Sequence, residues 1–531
     1  MRFALIHYTA VIAWVRIKAF TVHEMFFEDI MKLKFFTLLL ILSILLTGCD
    51  WTGTSKCVLG HSDADDNGKC DVCYSSVITS VDIYTVNDLH GKLLDTATQP
   101  GVDELTTMLE LEKLANENAL FISSGDMWQG SFESVLTDGL IVTDWMSEVG
   151  FASMTLGNHE FDWGEDYIAK NAEAASFPFL AINVYEKDTG ERPEYCDSSV
   201  LVELDGLKVG IIGAIGDCES SISSDKIENL EFKVGAALTK LVKDEAMKLK
   251  SEGADLIIYS LHDGHEGSGT GKISVSNLRK YYDSVLSTGY VDIVFEGHTH
   301  KKYVMTDAAG VYHIQGGGEN GAISHAEISV NTVTGTKSVN EAELISSDTY
   351  SAYAKNDFIG ELEDKYESKL APGYRVLGTN SAYHDDTELE AVVSALYLEA
   401  GIEKWGDKYD IFLGGGFLRT RSPYNLYTGE VRYSDLLMLF PFDNEIVLCK
   451  ISGYYLKKIF IESTNDDYYT SYSSYGSANI SKIDTGATYY VVVDSYTAQY
   501  KYNNLSVVDT LGDDIYARDL LADYILEGGF N

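Results

Sequence analysis

Five short polar clusters carry the groups that could do chemistry in this chain: Asn87-Asp88-Leu89-His90-Gly91, Gly125-Asp126, Gly157-Asn158-His159-Glu160-Phe161-Asp162, Leu261-His262-Asp263-Gly264 and Gly297-His298-Thr299-His300. Together they supply Asp88, His90, Asp126, Asn158, His262, His298 and His300. Carboxylate oxygens suit hard divalent cations, and imidazoles suit zinc, manganese, iron, nickel or cobalt. A satisfied core position explains a lone histidine, which is our reading of His313 and His325. It does not explain seven ligand-type groups in five loops. Two cations ~3.5–4 Å apart can clamp the attacking and leaving oxygens of an in-line displacement and lower the pKa of bound water toward ~7. The chemistry this composition points to is an in-line displacement by metal-activated hydroxide.

Such loops need a scaffold that holds them level. Most follow a short apolar run. Val81-Asp82-Ile83-Tyr84-Thr85-Val86 alternates like a half-buried strand, and Leu120–Ile122, Val209–Ile215, Leu256–Tyr259 and Val291–Phe295 read as buried strands. Asp103 to Asn116 reads as a helix with Leu105, Met108, Leu111 and Ala115 on one side, and Leu238, Leu241, Val242 and Leu249 mark another. Strands alternating with helices make an α/β layered domain, and the clusters fall where such sheets place their sites, just beyond the carboxyl ends of strands.

A chain of 531 residues exceeds one compact core, so two domains are expected. We read residues 79–345 as the domain carrying the clusters, 346–373 as a connecting helix ended by Ala371-Pro372-Gly373, and 374–531 as a second α/β domain. The formal net charge of −41 argues against binding a nucleic-acid polymer through a basic face. It also repels any anionic substrate, which must then be captured by a local positive source such as metal ions or a few arginines.

The amino-terminal region reads as export machinery. Met31-Lys32-Leu33-Lys34, the apolar run Phe35–Leu46 and Thr47-Gly48-Cys49 have the order of a signal peptide over 31–49. Its Leu46-Thr47-Gly48-Cys49 ending resembles the bacterial lipoprotein box. That implies a lipid on Cys49, tethering to the outer side of the bacterial cell membrane, and translation starting at Met31, with residues 1–30 outside the mature protein. Residues 50–78 form a small polar segment with Cys57, His61, Cys70 and Cys73 spaced C-x3-H-x8-C-x2-C, which could hold zinc. The overlapping Asp63-Ala64-Asp65-Asp66-Asn67-Gly68 looks like half a calcium loop, but the twelfth loop position is Tyr74 where a glutamate is needed. Zinc, calcium and a disulfide-tied stalk all remain open. Cys196 and Cys218 are either a pair or two buried thiols.

In the order D-x-H, G-D, G-N-H-E, H-x-G and G-H-x-H, the five clusters resemble the calcineurin-like metallophosphoesterases. The fuller forms Asn87 to Gly91 and Gly157 to Asp162, with a second domain behind them, resemble the exported 5′-nucleotidase branch over about residues 80–531. The resemblance implies a four-layer first domain and a bound metal pair. One metal would be held by Asp88, His90, Asp126 and His300, the other by Asp126, Asn158, His262 and His298. It also implies catalytic roles for His159 and Asp162, the first stabilising phosphate charge or protonating the leaving group and the second orienting it. In the second domain Phe442 and Asn444 match a Pro-Phe-x-Asn turn whose aromatic stacks on a base. Arg419, with Arg421 as a rival, fits a glycine-rich loop whose arginine meets the phosphate.

The chain departs from that pattern in three places. Gly414-Gly415-Gly416 lacks a preceding asparagine, and Tyr383-His384-Asp385-Asp386-Thr387-Glu388 stands where an arginine is expected. A late Gly-Gly-Asp aromatic motif is replaced by Asp494 to Tyr500, leaving Tyr496 or Tyr500 as the second face of a base clamp. The expected activity is release of nucleoside and phosphate from 5′-nucleotides. The alternatives are a 2′,3′-cyclic-nucleotide or broader phosphoester hydrolase, and a silent surface nucleotide-binding lipoprotein.

Overall fold

The computed structural model describes residues 60–95, 100–273, 289–415, 425–462, 483–502, 504–512 and 515–530. Cys49, Cys57, Arg419, Arg421, the signal over 31–49 and the extension before it lie outside these residues, as does the side chain of Tyr500. Two compact units are present: residues up to Ser80 with Ile328–Ser338, and Val81–Glu327 with Val339–Asn531.

In the larger unit the alternating run after Val81 becomes strand β1 (Ile78–Val86). Helix α1 (Asp103–Ala115) leads to β2 (Ala119–Ser123), and α2 (Phe132–Thr137) and α3 (Leu140–Val149) lead to β3 (Ser153–Thr155). Helix α4 (Glu165–Ala174) precedes β4 (Phe179–Leu180). These four strands pair in parallel, in order, so their carboxyl ends lie along one edge. The second sheet starts with β5 (Ser199–Leu204) and β6 (Leu207–Ile215), followed by α5 (Ala236–Ser251) and β7 (Leu256–His262). It continues with β8 (Gly269–Lys272), β9 (Ile293–Glu296), β10 (Lys302–Thr306) and β11 (Tyr312–Gly316). Strands β12 (Ala322–Asn331) and β13 (Lys337–Ser346) then return to the first sheet. The strand orders are β13-β12-β1-β2-β3-β4 and β8-β10-β11-β9-β7-β6-β5.

Each sheet buries one face under helices. Leu105 and Met108 of α1, Ile141 and Trp145 of α3 and Ile168 of α4 share a core with Tyr84, Phe121 and Met154. Leu238, Val242 and Leu249 of α5 pack with Ile212, Ile257 and Tyr259. Hydroxyls stitch the sheets to each other: Thr155 Oγ1 donates to Ser260 Oγ at 2.7 Å, and Ser260 Oγ to the Ser123 carbonyl at 3.1 Å. The result is the helix–sheet–sheet–helix stack that the resemblance implied. The stripe expected for α1 fails at two of its four positions. The buried face runs through Leu105, Met108 and Leu109, while Leu111 is 47% exposed and Ala115 is exposed too.

The segment read as a connector is anchored. Helix α6 (Phe358–Leu370) buries Ile359, Leu362 and Leu370 in the same core as α2 and α3. Beyond it, Val376–Asn380 pairs antiparallel with Gly429–Arg432. Helix α7 (Asp386–Trp405) is capped by Asp385, whose Oδ1 accepts from Glu388 N at 2.9 Å. Asp385 thus serves the helix, and His384 pairs with Glu388 at 3.1 Å. Strand β14 (Ile411–Gly414), helix α8 (Tyr433–Leu439), strands β15 (Ile446–Ser452), β16 (Thr488–Asp494) and β17 (Ser506–Thr510), and helix α9 (Ala517–Leu526) complete the second α/β body, with strand order β14-β16-β15-β17. Gly414 has a packing reason: a Cβ there would come 2.1 Å from the Leu398 nitrogen of α7. Among the described residues no helix is long and apolar enough to cross a membrane.

Candidate dimetal site

The five clusters meet because parallel register brings their strand ends level. β1 ends at Val86, beside Ser123 of β2, which lies beside Met154 of β3. In the other sheet His262 closes β7 beside Ile215, and Glu296 closes β9 beside Leu261. The loops leaving these five ends converge across the sandwich. Asp88, His90 and His300 form one set whose ligand atoms lie within 4.8 Å of one another, and Asp126, His262 and His298 form a second. Asn158 joins the second set, its Oδ1 lying 2.8 Å from His298 Nδ1 and 3.2 Å from His262 Nε2. All seven sequence-derived ligands are therefore brought together.

Backbone carbonyls aim the imidazoles. His90 Nδ1 lies 2.8 Å from the Gln129 carbonyl, and His262 Nδ1 lies 2.7 Å from the Ser124 carbonyl. Each Nδ1–H donates there, which turns the Nε2 lone pair inward, as metal-ligating histidines require. His90 Nε2 and His300 Nε2 face each other at 3.0 Å. Two nitrogens at that separation need a proton or a cation between them. Burial works against a charged His262, but Asp126 and Asp88 outweigh it and push its pKa up to about 10, so the site draws positive charge, which a cation would supply in place of the proton. The donor set thus fits a pair of divalent cations.

Holding these loops strains the backbone. Asp88, His90, Asp126, His298 and His300 have φ between 50° and 69°, in the left-handed region. Such conformations cost ~1–3 kcal/mol each and persist only where the surroundings over-determine them. Glu160 is one such determinant. Fully buried, it accepts N–H bonds from Asp126 at 2.9 Å, Met127 at 2.7 Å and Gly157 at 2.6 Å. It locks the Asp126 loop to the Asn158 loop. Gly157 is required for that closeness, since a Cβ there would meet Asp126 Oδ1 at 2.3 Å.

His159 and Asp162 stand beside the ligand sets. His159 Nδ1 lies 2.6 Å from Asp162 Oδ2, and the His159 backbone N–H donates to Asp126 Oδ1 at 2.9 Å. Asp162 therefore fixes the imidazole while the adjoining ligand fixes its backbone. Both residues line a cavity of about 570 Å³ that also takes in Asp126, Asn158, His298, His300, Phe442, Asn444 and Tyr496. The Phe442 ring lies nearly parallel to His159, 5.8 Å between centroids. Asp494 turns the chain toward Tyr496 by accepting from Thr497 N at 2.8 Å and Thr497 Oγ1 at 2.7 Å.

Several positioning residues are not visible in the sequence. Buried Arg518 of α9 donates to the Phe440 and Phe442 carbonyls at 3.2 and 3.1 Å and pairs with Asp443, so it sets the Phe442 turn. Gln129 Nε2 donates to the Pro441 carbonyl at 3.1 Å, tying the Asp126 loop to the same turn. Neither belongs to a local pattern. Cys196 is a buried thiol outside any disulfide, and Cys218 Sγ donates to the His262 carbonyl at 3.5 Å, so the paired alternative for these two cysteines is not realised. His313 pairs with Glu296 at 3.1 Å in the core, in keeping with its ordinary reading.

Residues 81–302 match the calcineurin-like phosphoesterase family. Over 422 residues the chain is 25% identical to a 5′-nucleotidase of Vibrio vulnificus (strain CMCP6), covering 69% of this chain and 72% of that protein. The crystal structure of a 5′-nucleotidase precursor from Thermus thermophilus aligns with TM-score 0.62 and 18% identity over 85% of this chain and 96% of that one. The sulfate thiohydrolase SoxB of Thermus thermophilus aligns with TM-score 0.58 and 14% identity over 85% of this chain and 94% of that one. At these identities the two crystal structures speak to the fold alone.

Proposed function

We propose that this chain, whose residues 81–302 are a calcineurin-like phosphoesterase domain, is a 5′-nucleotidase: a metal-dependent phosphoester hydrolase that releases nucleoside and inorganic phosphate. The observation that carries the reading is the His159–Asp162 pair, set between two convergent ligand groups and an aromatic-walled cavity. Asp88, His90, Asp126 and His300 would hold one cation and Asp126, Asn158, His262 and His298 the other, with Asp126 shared. When bound, the cations supply Lewis-acid charge at phosphoryl oxygens and acidify water at neutral pH.

The chain's own residues do the rest. Asp162 accepts a hydrogen bond from His159 Nδ1–H and favours the imidazolium, whose Nε2–H then meets the phosphate or passes its proton to the departing oxygen. General acid–base help of this kind is worth ~10²–10⁴-fold. Phe442 and Tyr496 line the cavity and would stack on a base, and Asn444 would meet its polar edge. Buried Arg518 keeps the Phe442 turn in place. Arg419, whose place in the glycine-rich loop motivates it, would contribute a guanidinium to the phosphate.

The deciding experiment is an activity panel. Protein stripped by chelation is reloaded separately with zinc, manganese, cobalt or nickel and assayed with AMP, other 5′-mononucleotides, 2′,3′-cyclic AMP and a small aryl phosphate. We expect metal-dependent turnover with 5′-mononucleotides favoured. A preference for the cyclic substrate would replace this reading with a phosphodiesterase, and no turnover with any metal would replace it with nucleotide binding alone. The lipoprotein-like ending at Cys49 motivates a second proposal, tethering to the outer face of the membrane. It predicts that the enzyme fractionates with membranes and that Cys49→Ala releases it. Equal partitioning of the two would reject the anchor.

A further inference from the structure

The segment Gly60–Ser80 is ordered around its own chemistry. Among the described residues its apolar core is Cys70 and Val77, with Cys73 packed against them. So small a core needs a staple. The acidic run does not provide one by binding calcium, because its carboxylates are already engaged. Asp63 accepts from Asn67 N at 3.0 Å, Gly68 N at 2.9 Å and Asn331 Nδ2 at 2.6 Å. Asp66 accepts from Asn331, Thr334 and Thr336 side chains at 2.9, 2.8 and 2.9 Å. These bonds seat the loop on the 331–336 turn and occupy the oxygens a calcium loop would present.

Softer donors gather separately. His61 Nδ1 lies 3.6 Å from Cys73 Sγ, and these two atoms and Cys70 Sγ all fall within 4.8 Å of one another. Zinc–sulfur bonds of ~2.3 Å and zinc–nitrogen bonds of ~2.0–2.1 Å at a tetrahedral angle put nitrogen and sulfur ~3.6 Å apart. Cys70 to Cys73 is a tight turn closed by Tyr74 N donating to the Cys70 carbonyl at 2.8 Å. The thiolate is the form that binds metal. Two thiolates and an imidazole select zinc over hard cations.

We infer that His61, Cys70 and Cys73 hold one structural zinc ion, separate from the catalytic cations, which fixes this segment's fold.

The test uses the full chain loaded with cobalt(II) in place of zinc. An intense thiolate-to-cobalt charge-transfer absorption is expected, unchanged in Asp126→Ala and lost in Cys73→Ser. Metal content of the zinc form should fall by one equivalent in Cys73→Ser while phosphatase activity persists. Should Cys73→Ser misfold, His61→Cys supplies the second arm, since it should retain the zinc and strengthen the thiolate band. The inference is overturned by a native mass showing a Cys70–Cys73 disulfide with no extra zinc, by a band that survives Cys73→Ser, or by calcium in the zinc's stead.

Discussion

The two walls of the catalytic cavity are built differently. The ligand wall is strained and over-determined: five of its residues sit at positive φ, five of its seven donors are buried, and Glu160 and Gly157 leave no slack between loops. The aromatic wall carries no such backbone strain. Phe442 rides on a turn held by Arg518, and neither Phe442, Asn444 nor Tyr496 has a positive φ. The difference teaches where the chemistry is fixed and where it can vary. Metal ligation tolerates little displacement, so its supports are local and rigid. Substrate choice needs only surfaces of the right kind, so it rests on positions that can be rebuilt.

Substitutions on the two walls should therefore fail in different ways. The largest effect is expected from His159→Ala: kcat falls ~10²–10⁴-fold on every substrate while both catalytic metals remain bound, as turnover and metal analysis would show. Phe442→Ala should act on KM and discriminate. Base stacking is worth ~1–3 kcal/mol, so KM for AMP should rise ~5–150-fold while a small aryl phosphate barely notices. Equal changes on both substrates would show that the aromatic wall serves packing, not recognition. Gly157→Ala should loosen the ligand wall itself. The clash with Asp126 should cost ~1–3 kcal/mol of stability and weaken metal binding, read by thermal melts with and without metal.

The smallest expected effect lies away from both walls and serves as a control. Burial alone would depress the His325 pKa, but Asp82, 3.1 Å away, reverses this and raises it above 6.5. A raised histidine contributes stability that is full below the unfolded value and fades as pH rises through the folded one. The melting temperature of His325→Gln should thus lag the parent most at acid pH and converge with it above neutrality, with activity at neutral pH unaffected.

This contrast also explains what was legible in the sequence. Each ligand cluster is a contiguous run following a strand, so type and spacing announce it, and the strand reading supplies the edge on which the clusters meet. The α/β layering was legible for the same reason, because periodicity is local. What was hidden depends on distant partners. Arg518 reaches the Phe442 turn from 75 or more positions away, and Gln129 reaches Pro441 across 312. Glu160 stood inside a recognised cluster, but nothing in a row of letters reveals that its carboxylate binds four backbone N–H groups, those of Asp126, Met127, Trp128 and Gly157. Leu111 shows the limit of periodicity, being apolar and in phase yet exposed because the sheet lies against Leu105 and Met108.

The central claim is that Asp126 is shared by two cations held by the converging loops. Manganese(II) paramagnetic resonance of the reloaded full chain tests it most directly. The expected result is an exchange-coupled two-manganese spectrum in the parent that collapses to uncoupled or lost manganese in Asp126→Ala. A parent protein that binds one manganese, or two that do not couple, would contradict it.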